Sequence, residues 1–494
     1  MRHGESGLGH GAKLGGLAFL EQPRQCCRQH DDRNHGTQPA RGAFLTDNGA
    51  TPGPFILIAL RQHLTNLRSS FWFLPGLIVL GMVLLALGLI QADPWVGKEF
   101  FDDWPRLFGG GSDGARGLLS VIASSMISVT GIVFSITLVA LTLTSSQYTP
   151  RVLRNFMRDR LNQTVLGVFV GIFAYAMVVL RTIRSADEGL FVPSLAVLVG
   201  LLLGLVGIGF LVFYIHHIAV SIQAAQILAA VHDETREAID RLFSDRLQDE
   251  AAEVDEPDAA AWHPVKASHT GYVQQVELNT LLAFAEEHDT VIRLQRGIGE
   301  FVIEGMAVLL VAGAEAPDRD TGRKLGTMVM VDRQRTVEQD VAFGIRQLVD
   351  IALKGLSPGI NDVTTTVMSV DYLTAILARL GERRIDCHRT DRHGTPRVLG
   401  CGPDYSYLLG KAFEQIRQNA DGNMAVLAHL LRSLRLLAGC TRDRQRREAL
   451  VQHVRAVDEV CQRSIKAPVD REYLQSLADG VLATLDAAPH GQAS

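Results

Sequence analysis

The sequence predicts an α-helical membrane protein with four spans, followed by a mainly helical cytoplasmic α+β region. Four long segments without Asp, Glu, Lys or Arg predict the spans, and all of them lie in the first half of the 494 residues. These segments are 71–90, 118–144, 164–180 and 191–218. A helix of about 20 apolar residues crosses the hydrocarbon core of a bilayer. Each segment is therefore of spanning length, and the lipid bilayer is the first expected partner.

Charge and cysteine content argue against several other classes of protein. The chain carries 48 Lys and Arg against 53 Asp and Glu, a net charge of −5, so nucleic acid is not an expected partner. The six cysteines form no Cys-x-x-Cys pair, and a disulfide framework is not expected. We find no nucleophile–base pair, phosphate-binding loop or metal-ligand spacing, and therefore expect no enzymatic activity and no cofactor.

The N-terminal 53 residues differ in composition from the rest of the chain. Residues 1–53 are rich in Gly, His, Arg and Gln and have no apolar period, which predicts a disordered tail. Cys26 and Cys27, with His30 and His35, carry side chains that bind metals, but adjacent cysteines lack the usual zinc spacing. We interpret them as chance composition and predict no metal site. The four-span transmembrane domain is expected over 54–220.

Basic residues predict the orientation of the spans. The loop 145–163 contains Arg151, Arg154, Arg158 and Arg160 within a short distance. Loops with an excess of Lys and Arg remain on the cytoplasmic side of the membrane. With four spans, both termini then lie in the cytoplasm, and the chain is expected to be a multi-pass protein of the cell inner membrane.

The second span is unusually rich in hydroxyl groups. Five small or hydroxyl residues fall on one helical face at spacings of four, three, four and seven: Ser124, Ser128, Gly131, Ser135 and Thr142. Such a stripe allows helices to approach closely and to bond across their interface. Alternatively, it lines a hydrated path in a homo-oligomer, because hydroxyls replace part of the water shell of an ion. No Asp, Glu, Lys or Arg lies within a span, which argues against a proton-coupled pump.

The membrane half resembles a known group of bacterial proteins. The block from Met126 to Arg184, MISVTGIVFSITLVALTLTSSQYTPRVLRNFMRDRLNQTVLGVF and onward, is similar to the signature of an uncharacterised membrane-protein family, domain of unknown function 2254. The resemblance extends from about residue 60 to about residue 485. It implies a multi-span inner-membrane protein with a cytoplasmic C-terminal half. The family supplies no established activity, catalytic residue or ligand.

The second half of the chain divides into three predicted parts. Residues 221–262 form a connecting helix and an acidic linker, and residues 263–335 form a small β-containing module. Within that module, Gly299 and Gly305 bracket a turn between two strands. Residues 336–486 form a helical cytoplasmic domain, in which Leu427, Leu430, Leu434 and Leu437 mark the clearest amphipathic helix.

The strongest soluble motif is the turn SPGIND, residues 357–362. Thr336 and Gln339 have the spacing of a capping box, which predicts a helix from Val337 to about Gly355. Asn361 or Asp362 then caps a second helix. The alternative is a polar site in which Asp340, Asn361 and Asp362 bind a cation or another ligand. In the resembling family the motif continues with Pro, whereas this chain has Val363, which weakens the expected rigid helix start.

Two functions remain open from the sequence. The hydroxyl stripe favours an oligomeric channel or transport-related protein. The large cytoplasmic region favours a membrane-anchored scaffold or sensor that binds a ligand or partner near SPGIND.

Overall fold

A computed structural model describes residues 72–93, 111–147, 159–184, 191–243, 261–385, 388–400 and 402–487. The predicted tail 1–53 and most of the acidic linker lie outside these residues. So do Arg151, Arg154 and Arg158 of the loop that predicts orientation.

Four apolar helices in the first half are long enough to cross a membrane, as predicted. They are α1 (Phe73–Ala92), α2 (Gly111–Gln147), α3 (Arg160–Thr182) and α4 (Ser194–Ser221). Apolar side chains favour burial in hydrocarbon, and hydrocarbon offers no hydrogen-bond partner to peptide groups. An α-helix forms because it pairs these peptide groups with one another. The 37 residues of α2 span about 55 Å at 1.5 Å each, so this helix extends beyond the hydrocarbon core.

The third span lies at the centre of the membrane bundle. Most of α3 is buried, whereas α1, α2 and α4 each expose one broad apolar face. Gly167 and Gly171 allow α1 to approach closely, because a Cβ atom at Gly167 would lie 2.9 Å from the Cα atom of Pro75. Small residues at such contacts are typical of packing in membranes, where van der Waals contact replaces the hydrophobic effect as the attractive force.

The fourth span leads into the predicted connecting helix. After α4 the chain turns at Ile222–Gln223 and continues as α5 (Ala224–Leu242). This helix belongs to the core of the helical region that comes after it along the chain.

The β-containing module holds two sheets. Its strands are β1 (Trp262–Lys266), β2 (Gly271–Val276), β3 (Ile292–Leu294), β4 (Phe301–Val302), β5 (Ala307–Ala312) and β6 (Val329–Asp332), with helices α6 (Leu278–Glu287) and α7 (Arg319–Thr327). One sheet has the order β4-β2-β6. Gly299 and Gly305 flank strand β4 and have left-handed φ angles of 85° and 86°, which glycine adopts without strain.

The second sheet takes a strand from beyond the predicted module boundary. Its order is β1-β5-β3-β8-β7, where β7 is Arg389–Thr390 and β8 is Pro396–Leu399. Strand β8 pairs in parallel with β3 and buries Val398 in the core of the module. The boundary at residue 335 was therefore incomplete, because strand pairing across about 100 residues leaves no local signal in the sequence.

The helical region is built from six further helices and α5 within the described residues. They are α8 (Val341–Leu356), α9 (Val363–Gly381), α10 (Tyr405–Asn419), α11 (Met424–Cys440), α12 (Arg444–Ser464) and α13 (Pro468–Asp486). Leu427, Leu430, Leu434 and Leu437 are fully buried on one face of α11, as predicted. One continuous apolar core joins all of these helices.

The first helix of this region begins later than the capping box predicts. Val337 lies in a turn, and α8 begins at Val341 with Asp340 as its N-cap. Gln339 does not complete a capping box, because its Oε1 accepts a hydrogen bond from the backbone N–H of Val276 at 3.0 Å. A tertiary contact with the β module thus replaces the local one.

A buried histidine makes the helical region sensitive to acid. His453 of α12 lies against Gly410 of α10. Burial, together with the positive charge of Arg417, lowers the pKa of His453 to about 4 from an ordinary value of 6.5. The unfolded chain therefore binds a proton more readily than the folded chain. The free energy of unfolding is therefore unaffected by this histidine above about pH 6.5, and it decreases as the pH falls from 6.5 towards 4.

We expect acidification from pH 7 to pH 4.5 to destabilise the helical region by about 2.5 kcal/mol through this histidine. Hydrogen exchange of the α10 and α12 amides, measured against pH on the full chain, tests this. His453→Gln should flatten the dependence. An unchanged pH profile in that variant would assign the acid sensitivity to other groups.

Candidate functional site

The hydroxyl stripe lies on the surface of the membrane bundle. Ser124, Ser128, Gly131, Ser135 and Thr142 are all exposed on α2. A Cβ atom at Gly131 would meet no atom within 4 Å among the described residues. The simpler expectation was that the stripe packs against another helix. Within one copy of the chain it does not pack against another described span. It faces lipid or another molecule.

Three hydroxyl groups along this face, those of Ser124, Ser128 and Thr142, bond to carbonyls of their own helix. The hydroxyl of Ser128 donates to the Ser124 carbonyl at 2.8 Å, and that of Thr142 donates to the Leu138 carbonyl at 2.9 Å. Such bonds to the preceding turn are the usual way in which Ser and Thr are accommodated in a helix surrounded by lipid. The face is thus compatible with hydrocarbon as well as with a second copy.

The opposite face of α2 carries a polar contact that sequence reasoning missed. The hydroxyls of Thr137 and Tyr214 lie 2.6 Å apart, and Tyr214 also donates to the carbonyl of Val133 at 3.2 Å. These bonds connect α2 with α4 inside an apolar core that includes Phe169 of α3. Thr137 lies four residues after the buried Val133 and three before the buried Ala140, so it shares their helical face. This spacing was the only feature of the sequence that could have indicated the contact.

A second polar contact joins the start of α3 to the end of α4. The Asp159 carboxylate caps α3 by accepting from the Leu161 N–H at 2.9 Å, and its other oxygen lies 2.7 Å from Nε2 of His217. His217 lies about one turn before the end of α4, shortly before the turn into α5.

The SPGIND residues form a helix cap. Asp362 accepts a hydrogen bond from the Thr365 N–H at 3.0 Å and another from the Thr365 hydroxyl. These bonds hold the pKa of the Asp362 carboxyl below its ordinary value. Asn361 has a φ of 49°, a left-handed conformation that asparagine tolerates better than most residues. Capping, the simpler of the two expectations, accounts for Asp362.

The expected cluster of Asp340, Asn361 and Asp362 does not form. Asp340 caps the N-terminus of α8, whereas Asn361 and Asp362 follow its C-terminus. A helix of 16 residues separates the two ends by about 24 Å. The helix predicted from Val337 to about Gly355 already placed Asp340 and the SPGIND turn near opposite ends, and the helix in the structure keeps them apart.

Asp340 instead anchors the β module to the helical region. Arg335 donates to both of its carboxylate oxygens, at 2.7 and 3.0 Å, and the Phe343 N–H donates at 2.9 Å. Gly299 of the β module lies so close to this ion pair that any side chain there would collide with it. Burial raises the pKa of Asp340, while the adjacent Arg335 opposes that rise.

The connecting helix is built into the helical region. Five apolar residues of α5 are buried against α8 and α9: Ile227, Leu228, Val231, Ala238 and Ile239. Thr235 of α5 packs directly on Gly344 of α8, where a larger residue would clash. Near the end of α5, Asp240 accepts a bidentate pair of bonds from Arg379 at 2.6 and 2.7 Å, and a third bond from Arg383 at 3.1 Å.

Residues 68–436 match the family model described as "Predicted membrane protein (DUF2254)". The chain belongs to this family. The match agrees with the four apolar helices and with the resemblance seen in the block from Met126 to Arg184.

An uncharacterized protein of Mycobacterium tuberculosis (strain CDC 1551 / Oshkosh) is 32% identical over 420 residues, which cover 83% of this chain and 79% of the relative. An uncharacterized protein of Mycobacterium bovis matches with the same identity and the same coverage. No solved structure matches this chain. The DUF2254 family therefore identifies a membrane protein and leaves its activity open.

The ion pair at Asp340 yields a prediction about how the β module is attached. Arg335→Met should destabilise the contact between β module and helical region by about 3–5 kcal/mol, because it leaves a buried carboxylate without its counter-charge. Hydrogen exchange of β2 and α8 measures this.

The matched control is Arg323→Met, which removes an arginine from an exposed pair with Asp320 at 3.6 Å. Pairs of that kind contribute at most about 1 kcal/mol. Equal exchange in both variants would show that the Arg335–Asp340 pair does not hold the module.

Proposed function

We propose that this DUF2254 protein is a membrane-anchored sensor or scaffold, in which movement of the fourth span is transmitted to a cytoplasmic helical domain. The observation that carries the proposal is the continuity of α4 and α5. Only Ile222 and Gln223 separate the last turn of the span from a helix that is part of the core of the next domain.

The strength of this attachment supports transmission rather than loose tethering. Burying one Leu, Ile or Val side chain contributes roughly 1.5–3 kcal/mol, and α5 buries several of them. Asp240 adds hydrogen bonds to two arginines of the α9 end. Undocking α5 is therefore costly, and two residues span at most about 7 Å, so the turn at Ile222–Gln223 cannot absorb a large displacement of the α4 end. Such a displacement would move α5 together with α8 and α9.

The proposed location follows from charge. Arg151, Arg154, Arg158 and Arg160 lie between the second and third spans, and the positive-inside rule places that connection in the cytoplasm. Since α4 ends on the same side, the domains after it would also be cytoplasmic, together with both termini. We propose the cell inner membrane as the location, and no catalytic activity, cofactor or nucleic-acid partner.

A second candidate function rests on the exposed stripe of α2. We propose as an alternative that copies of the chain associate through this face and form a channel or another transport-related oligomer. Gly131 and the neighbouring serines would permit close approach of two helices. The hydroxyls would then border a path between copies, because the interior of a single bundle is filled by apolar side chains.

Bilayer thickness tests the sensor proposal. Thin and thick bilayers impose different tilts on the spans. In nanodiscs of short-chain and long-chain lipids, the α8 and α9 amides of the wild-type protein should exchange hydrogen at different rates. Gly344→Val, which displaces Thr235 and hence α5, should abolish the difference.

Gly322→Val is the matched control, because a Cβ atom there meets no atom within 4 Å among the described residues. This variant should respond to bilayer thickness as the wild type does. Identical exchange of the wild-type protein in thin and thick bilayers would refute transmission through α5.

Particle mass tests the oligomer. Gly131→Leu together with Ser128→Leu should reduce the mass of the detergent-purified particle and abolish any ion flux in liposomes. Val121→Leu, an enlarged side chain that is already exposed and apolar on α2, should leave both unchanged. A monomeric wild-type protein without flux would exclude the channel and leave the sensor proposal unaffected.

A further inference from the structure

Two buried polar side chains lie at the end of the membrane bundle from which α5 departs. Thr144 is in the last turn of α2 and Asn162 is in the first turn of α3. They are 2% and 4% exposed. The Thr144 hydroxyl and both polar atoms of the Asn162 carboxamide have no hydrogen-bond partner among the described residues.

Thr144 differs in this respect from other threonines of its helix. Thr130, Thr137 and Thr142 each donate to the carbonyl of the residue four positions earlier. Thr144 has the same bond available to it in an α-helix and does not make it. Its hydroxyl is therefore oriented towards something other than its own backbone.

The packing of the helices places both residues below the same apolar core. This core contains Ala140 of α2, Val165 of α3 and Ile218 of α4. Thr144 lies one turn beyond Ala140, and Asn162 lies one turn before Val165. Since α2 and α3 run in opposite directions, both positions lie beyond the same end of the core, where the pair of Asp159 and His217 also lies.

The chemistry of the unpaired atoms limits what can bind them. The carboxamide oxygen of Asn162 needs a donor, and its NH₂ group needs an acceptor. A metal cation would leave the NH₂ group unpaired, and a simple anion would leave the oxygen unpaired. Asp159 and His217 are already hydrogen-bonded to each other. The matching ligand is neutral and both donates and accepts hydrogen bonds.

We propose that Thr144 and Asn162 line an internal binding site for a neutral donor–acceptor ligand, and that water occupies it. Buried waters typically make about three hydrogen bonds to polar groups that otherwise lack partners. The three unpaired atoms of this site supply that number. The site goes beyond the sensor proposal and does not depend on it, although it lies beside the turn through which α4 continues into α5.

Isosteric apolar variants of the detergent-solubilised full chain test the site. If water links the two side chains, Asn162→Leu and Thr144→Val should each lower the melting temperature by about 2–6 °C. The double variant should lower it by less than the sum, because both changes remove the same bound ligand. Thr142→Val, two residues away on the exposed face, should leave it unchanged.

A rise in melting temperature for either single variant would overturn the proposal, because replacing a truly unpaired buried group by an apolar isostere is favourable. Fully additive losses would overturn the shared site. Sodium, potassium and phosphate salts at equal ionic strength should change the melting temperatures of the wild type and of Asn162→Leu by the same amounts, because general salt effects act on both proteins alike. A rise specific to one ion and lost in Asn162→Leu would identify an ion site instead.

A high-resolution electron cryomicroscopy map of the wild-type protein provides a test that needs no variant. It should show an isolated density peak within hydrogen-bonding distance of both the Thr144 hydroxyl and the Asn162 carboxamide. Protein side-chain density in that position, or no density, would overturn the proposal.

Discussion

Hydrocarbon offers no hydrogen-bond partner, and this constraint shapes the first half of the chain. Backbone groups are satisfied within four helices, and the hydroxyls of Ser128 and Thr142 on the exposed side of α2 bond to their own turns. Inside the bundle, Tyr214 pairs with a hydroxyl of a neighbouring span. Thr144 and Asn162 depart from this rule, and they do so at the end of the bundle rather than at its centre, where a polar ligand is most easily accommodated.

The passage from lipid to water occurs within one nearly continuous stretch of helix. The last turn of α4 is fixed to the start of α3 by His217 and Asp159. Shortly afterwards the chain turns. Whereas α4 exposes an apolar face, α5 buries its apolar face against α8 and α9. Packing holds the segments on both sides of the two-residue turn at Ile222–Gln223.

The β module is attached through a charged contact instead of an apolar one. Asp340 combines three tasks, because it caps α8, pairs with Arg335 and supports the turn at Gly299. A buried ion pair is expensive to desolvate but still more expensive to break. It therefore contributes little net stability while it fixes the module in one position. The parallel pairing of β8 with β3 adds a second connection, since it returns the chain to the module after α9.

The sequence alone determined the four spans, the amphipathic helices and the glycine turns, because each depends on neighbours within a few residues. It also identified the cap at Asp362 as the simpler interpretation. Tertiary structure alone decided which face of α2 is covered, that the ion pair of Asp340 and Arg335 lies against Gly299, and that β8 belongs to the module. It also paired Asp159 with His217, 58 positions apart. The physical reason is the same in each case: helical period shows which residues share a face, but only the packing of distant segments determines what that face contacts.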